Sequence, residues 1–266
     1  MSRILVIILA VVVAFGTAAP SLAQQDTLEK IKSTGVLTIG TRTGSPPFAY
    51  VNKNNEWVGF SIDLVEQLVK PSVEKAVGRQ IKVEKKESTP PTRIPLLSSN
   101  AVDLIAGTMT DTPQRRESVD FSLTFFYTGA QFLVKKGSPI KGINDVSGKR
   151  VAAQQGATNA KILREKYPQV QLREFPDQPA AFQALAQGQV DAYTNDGIQL
   201  YGLKAKAPNP NDWARSQLAY EEGAVTATTD TIYTGFGLEG LSAEERADFV
   251  TRSMQHLLGG ASPAGD

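Results

Sequence analysis

An α/β alternation that runs once, stops and then restarts is the feature that most restricts how this chain can fold. "VLTIGT" (36–41) is dominated by apolar and β-branched residues and reads as a buried strand, after a short helix near 26–33. "FSIDLVEQLVKPSVEKAV" (60–77) sets Leu64, Val65, Leu68 and Val69 on one helical face, with Pro71 placed to kink or split it. A strand "QIKVEK" (80–85), a helix near 92–99 and a strand "VDLIAG" (102–107) complete the first unit. The apolar "AQFLVKKG" (130–137) and the Gly-rich "GSPIKGINDVSG" follow. The rhythm then begins again: strand 150–155, helix 157–167, strand 170–175, helix 179–188 and strand 190–196. Such alternation pairs strands in parallel through helical crossovers, so it predicts two α/β lobes, each a mostly parallel sheet flanked by helices. Ligands of these sheets sit beyond the carboxyl ends of the strands, and two lobes can turn both ends toward one cleft.

The first residues set the compartment. Arg3, the apolar run from Ile4 to Phe15 and the small-residue stretch "GTAAPSLA" read as a secretory signal peptide over 1–23, cleaved after Ala23. Its loss leaves 243 of the 266 residues and takes the cations from 28 to 27, against 27 acids. A neutral chain of this length suits two modest domains and gives no electrostatic reason to expect nucleic acid or an anionic membrane as partner. There is no Cys and a single His, at 256, near the end of a predicted helix. Disulfides, thiol catalysis, His-based triads and His or Cys zinc sites are thereby excluded or nearly so, and no cofactor is expected.

The stretch "RIPLLSSNAVDLIAGTMTDTPQRRESVDFS" (93–122) concentrates the polar chemistry. Thr108, Thr110 and Arg115 fall where a buried strand ends and a helix begins. Backbone N–H groups lack internal partners there and the helix dipole favours an anion, so a small carboxylate would suit the place.

With "GVLTIGTRTGSPPFAY", "QQGATNAKIL" and "QALAQGQVDAYTNDGIQLYG", this stretch resembles, in order and spacing, the periplasmic amino-acid-binding proteins that feed ABC importers, and the glutamate/aspartate-binding members in particular. The likeness covers Leu28 to Trp213. It implies the two-lobe periplasmic-binding-protein fold (type II): lobe 1 over 24–131, completed by about 226–266, lobe 2 over 132–225, and the ligand in the cleft between them. It also implies that Arg115 forks the α-carboxylate with Thr110 and Thr158 as partners, that Asp196 accepts the α-ammonium, and that Phe48 packs on the ligand's carbon chain. Arg42 and Arg93 stand where the acidic-ligand branch reaches the side-chain carboxylate. Gln178 stands where that branch has a histidine, and Pro90 and Pro91 where it has small or amide residues. The implied partners are a free L-amino acid and the permease subunits of an importer; the restart of the α/β rhythm between two extended, Gly-containing connections predicts a monomer whose lobes close about hinges near 129–134 and 220–225.

Several residues have a second role open to them. Thr110 and Thr112 suit helix N-caps, with Pro113 at the first helical position; Asp196 suits the cap of "GIQLYGLKAK", Phe48 the core, Arg93 and Arg116 an exposed face, and Asp63 a helix start. Past Trp213 no clear return strand is legible, although Ser242 and Glu245 form a capping box ahead of Val250, Met254 and Leu257. The main expectation is an amino-acid carrier without catalysis. A periplasmic dehydratase on the same fold, and an extracellular sensing module, are the alternatives.

Overall fold

The computed structural model describes residues 26–216 except 123 and 127. The predicted signal peptide, the hinge near 220–225 and the capping box at Ser242 lie outside them. Helix α1 (Thr27–Thr34) is capped by Asp26, whose carboxylate accepts the Leu28 N–H at 2.8 Å. It ends at Gly35, whose φ of 73° supplies the left-handed turn into β1 (Val36–Thr41). β1 is the centre of a wholly parallel sheet between β5 (Lys82–Glu87) and β6 (Leu104–Ala106).

The helix predicted over 60–77 is continuous through its proline. It comprises α2 (Phe60–Leu64), a π-helical stretch (Val65–Val69) and α3 (Lys70–Val77). The wider turn falls just ahead of Pro71, letting the Lys70 N–H reach the Val65 carbonyl, so the ring that would clash in a regular α-turn is accommodated. Between β1 and α2 stands a small antiparallel sheet of β2 (Gly44–Ser45), β3 (Ala49–Val51) and β4 (Trp57–Val58), which the sequence pattern does not announce. Two- and three-residue strands are too short to show alternation.

The second sheet runs in the order β11 (Trp213–Arg215), β7 (Ala130–Lys135), β10 (Ala192–Asp196), β8 (Arg150–Gln154), β9 (Gln171–Phe175). β10, β8 and β9 are parallel, while β7 and β11 run antiparallel to their neighbours. β11 is a strand that the sequence reading did not find; it is joined to β7 and continued by the Ser216 N–H on the Phe132 carbonyl at 2.8 Å. Phe132, Leu133 and Tyr193 have no exposed surface, so β7 belongs to the core of lobe 2 from its first residues.

One construction sets the strand register in both lobes. α4 (Arg93–Ser98) and α7 (Gln178–Ala186) are each followed by a residue at positive φ, Asn100 at 56° and Gly188 at 72°. Three residues later come Asp103 and Asp191. The Asp103 N–H donates to the Thr38 carbonyl at 2.8 Å and its carboxylate takes the Thr38 N–H at 2.9 Å. Asp191 repeats this on Arg150, at 2.7 and 2.9 Å. Each carboxylate also meets a cation at 2.7 Å, Lys30 in lobe 1 and the Arg150 guanidinium in lobe 2. With Thr38 thus equivalent to Arg150, the residues four further on, at the cleft ends of β1 and β8, are Arg42 and Gln154.

Candidate functional site

The two sets of strand ends face each other across a cleft of about 310 Å³, its open mouth included. Lobe 1 contributes Arg42 after β1, Pro90, Arg93 at the start of α4, and Thr108 and Thr110 after β6. Lobe 2 contributes Gln154 at the end of β8, 157–159 at the start of α6 (Thr158–Lys166), Asn195 and Asp196 at the end of β10, and Gln199 in the first turn of α8 (Gly197–Lys206). The lobes touch at several points around the cleft. Lys161 Nζ donates to Gln114 Oε1 at 2.7 Å, Thr110 and Thr158 hydroxyls stand 3.4 Å apart, and the Lys206 ammonium lies 4.5 Å from the centre of the Tyr50 ring.

Arg42 and Arg93 are buried, each 5% exposed. Arg93 donates from Nη1 to the Thr108 carbonyl at 2.9 Å, and its Nε–H has no partner among the described residues. Burial, reinforced by the positive charges of Arg115 and Arg42, pulls its pKa down to about 9, with Asp196 acting the other way. Burial lowers that of Arg42 too, but Tyr193, Asp177 and Glu87 oppose it. The donors around Gln154 assign its amide with the oxygen toward Arg42, and in that orientation Arg42 Nη2 donates to it at 2.8 Å.

Asp196 carries the only side-chain carboxylate among the described residues lining the cleft. Burial pushes its pKa up, while hydrogen bonds from Gln199, at 2.7 Å, and Asn159, with the charges of Arg93 and Arg115, favour the carboxylate. It occupies the N-cap position of α8, yet its side chain takes none of the helix N–H groups. Its carboxylate takes the Gln199 and Asn159 side chains instead.

Thr112, and not Thr110, caps the short helix α5 (Pro113–Arg116), its hydroxyl accepting the Arg115 N–H at 3.3 Å. That leaves the Thr110 hydroxyl facing Thr158. The Arg115 guanidinium donates to the Thr110 carbonyl at 2.7 Å and, across the lobes, to the Gly156 carbonyl at 3.2 Å. Arg116 is an exposed charge paired with Asp111. Phe48 lies in the lobe 1 core, its ring 5.0 Å from Phe126 and 5.9 Å from Phe60, and is not among the residues lining the cleft. Gln178, without exposed surface, lies behind the lining and accepts from Asn195 Nδ2 at 2.9 Å. The sequence reading missed Gln154, Asn159, Asn195 and Gln199. Their signal was positional: each falls at a strand end or in the first turn of a helix, where the fold aims side chains at the cleft.

Residues 37–199 match the family described as bacterial extracellular solute-binding proteins, family 3, and the chain belongs to that family. It is 40% identical over 189 residues to the glutamine-binding protein of Geobacillus stearothermophilus, covering 70% of this chain and 71% of that one. It is 34% identical over 209 residues to the L-glutamate/L-aspartate-binding protein of Pseudomonas aeruginosa, covering 76% and 69%. The solved cysteine-binding protein of Campylobacter jejuni shares its two-lobe fold, with a TM-score of 0.71 at 24% identity over 90% of this chain and 96% of that one. Relatives of this kind are amino-acid-binding proteins of transport systems.

Proposed function

We propose that the protein is a periplasmic carrier that closes on an acidic L-amino acid and hands it to the permease of an ABC importer. The observation that carries this reading is the charge of the cleft. Two buried guanidinium groups line it, and Arg115 bonds the Thr110 and Gly156 carbonyls beside it, against Asp196, the one side-chain carboxylate among the described residues of its lining. An amino acid's α-carboxylate and α-ammonium bring one charge of each sign, so a neutral ligand leaves the surplus cations uncompensated. A second ligand carboxylate compensates one, and the unpartnered Nε–H of Arg93 offers it a donor. Arg115 and Thr158 serve the α-carboxylate, and Asp196 the α-ammonium. Glutamine is the second reading, favoured by the 40% identity to a glutamine-binding protein.

Calorimetric titration with glutamate, aspartate, glutamine and asparagine separates the two. Tighter binding of glutamate and aspartate supports the first reading; tighter glutamine installs the second; no binding of any of the four removes both. Arg93→Ala should weaken the dicarboxylic pair more than the amide pair, and equal losses would sink the acidic reading. Prephenate and arogenate should be left unconsumed, since turnover would mark an enzyme.

A further inference from the structure

Arg42 and Gln154 hold equivalent positions in the two lobes, and they meet. With the Gln154 amide oxygen turned to the donors around it, the bond between them, 2.8 Å, runs from the residue just after lobe 1's central strand to the last residue of its counterpart in lobe 2. The Gln154 oxygen also takes the Gln178 backbone N–H at 2.9 Å, at the start of α7. Behind it Asn195 donates to Gln178 at 2.9 Å and to the Tyr193 hydroxyl at 2.9 Å, so the lobe 2 end of the contact sits in a buried, cross-braced set of amides. Such a set holds its geometry because each member fixes the next.

The two buried arginines differ in how the protein itself provides for them. Arg42 has a side-chain acceptor in the opposite lobe and feels the acidic groups of Asp177 and Glu87. Arg93 is crowded by Arg42 and Arg115 and keeps an unpartnered Nε–H. A ligand anion is needed by the second far more than by the first.

We infer that Arg42 is a latch between the lobes, a positioning residue that stabilises the closed state through Gln154, and that Arg93 alone of this pair reads the ligand's far end. The division of labour rests on the amino-acid-binding reading; the latch itself does not. A latch formed only when the lobes are together raises the fraction of the binding-competent state, and so strengthens every ligand by one common factor. A residue that reads the distal group changes the ratio between ligands.

The test takes dissociation constants for the same four amino acids with wild type, Arg42→Met, Gln154→Ala and the double variant. Thermal unfolding without ligand serves as the control for folding, and Arg42→Lys replaces Arg42→Met if the latter fails to fold. The expected result is a loss of about 10-fold or more by each single variant for every ligand that binds, with the glutamate to glutamine ratio unchanged by Arg42→Met and the double variant no worse than the weaker single one. Loss confined to the dicarboxylic ligands, or additive losses in the double variant, would overturn the latch. Should none of the four amino acids bind the wild type, the ligand-free protein still decides the matter. The chain has no cysteine, so Asn54→Cys and Glu165→Cys accept a fluorophore pair on the exposed outer faces of the two lobes. Arg42→Met should lengthen the distance between the labels, and an unchanged distance overturns the proposal.

Discussion

Thr38 with Asp103 in lobe 1, and Arg150 with Asp191 in lobe 2, are one set of hydrogen-bonding groups built twice, yet the residues that the two sets aim at the cleft have opposite character. Lobe 1 ends its strands on Arg42, Thr108 and Thr110 and starts a helix on Arg93; lobe 2 ends on Gln154, Asn195 and Asp196 and starts helices on Thr158 and Gly197. One half is cationic, the other carries the acid and the amides. A small molecule with an anion at one end and a cation at the other touches both halves in a single orientation, whereas a simple anion satisfies only lobe 1. On the proposed reading, recognition and closure become one event: the ligand completes the charge pattern that the lobes leave open between them.

The sharpest way to break this comparison is to remove the negative charge from lobe 2. Asp196→Asn should cost about 2–5 kcal/mol of affinity for every amino acid that binds, because the α-ammonium loses a charge-assisted partner in a desolvated cleft. Thermal stability should hold, since Asp196 contributes no cap to α8. The pH dependence gives the same residue a second signature. Burial raises its folded-state pKa above the ordinary 3.8. In the ligand-free protein its contribution to stability is fully present below that ordinary value and is lost as pH rises through the raised one. Ligand affinity must move the other way, weakening as pH falls through the raised value, because the ammonium needs the carboxylate. Melting temperature and affinity (the reciprocal of the dissociation constant), followed from about pH 3 to 7, should show opposite slopes that Asp196→Asn flattens. Parallel slopes in the wild type would take Asp196 out of the site.

What could be read from the sequence follows the same division between pattern and position. Apolar periodicity announced the helices and the buried strands, because burial on one face writes itself into spacing. Arg42 and Asp196 at strand ends and Arg93 at a helix start came from the resemblance, whose charged positions are easy to match by type. The amides Gln154, Asn159, Asn195 and Gln199 did not, since an uncharged polar residue near a turn looks like any turn residue. A comparison of "SSNAVD" with "AQGQVD" would have found two of them: aligned on their aspartates and on the strands they pair with, the segments put Gln154 opposite Arg42 and Asn195 opposite Gly107. The strand at Trp213–Arg215 is defined by its pairing with β7 and has no alternation of its own. Phe48 was ambiguous for a physical reason, because an aromatic beside strand ends serves the core or the ligand equally well; the structure packs it on Phe60 and Phe126.

A smaller effect probes how closely the lobes must approach. Gly202 lies inside α8, where glycine costs a helix about 1 kcal/mol relative to alanine. A methyl group there would stand 2.5 Å from the Pro46 carbonyl oxygen and 2.9 Å from the Pro47 ring, in lobe 1. Gly202→Ala should leave the ligand-free protein as stable as wild type or more so, while overpacking of the closed interface costs about 1–3 kcal/mol of affinity for all ligands. Unchanged affinity would mean that closure does not depend on this approach.

The smallest effect compares the repeated aspartates themselves. The Asp103 side chain is 3% exposed and that of Asp191 33%, although each accepts an equivalent backbone N–H, of Thr38 and Arg150, at 2.9 Å. Asp103→Ala leaves the N–H of the buried Thr38 without its acceptor, which should lower unfolding free energy by about 1–3 kcal/mol. Asp191→Ala lets water take over part of the lost bonding, and its cost should stay nearer about 1 kcal/mol. The Arg150 guanidinium holds the Asp191 carboxyl below its usual range, so this contribution is present above the ordinary aspartate pKa and is lost as pH falls through the depressed one. Neither residue lines the cleft, so neither substitution should alter ligand selectivity. Denaturant titration of the two variants measures the order directly. Equal losses would show that the shared hydrogen bond, and not the burial around it, sets what each aspartate contributes.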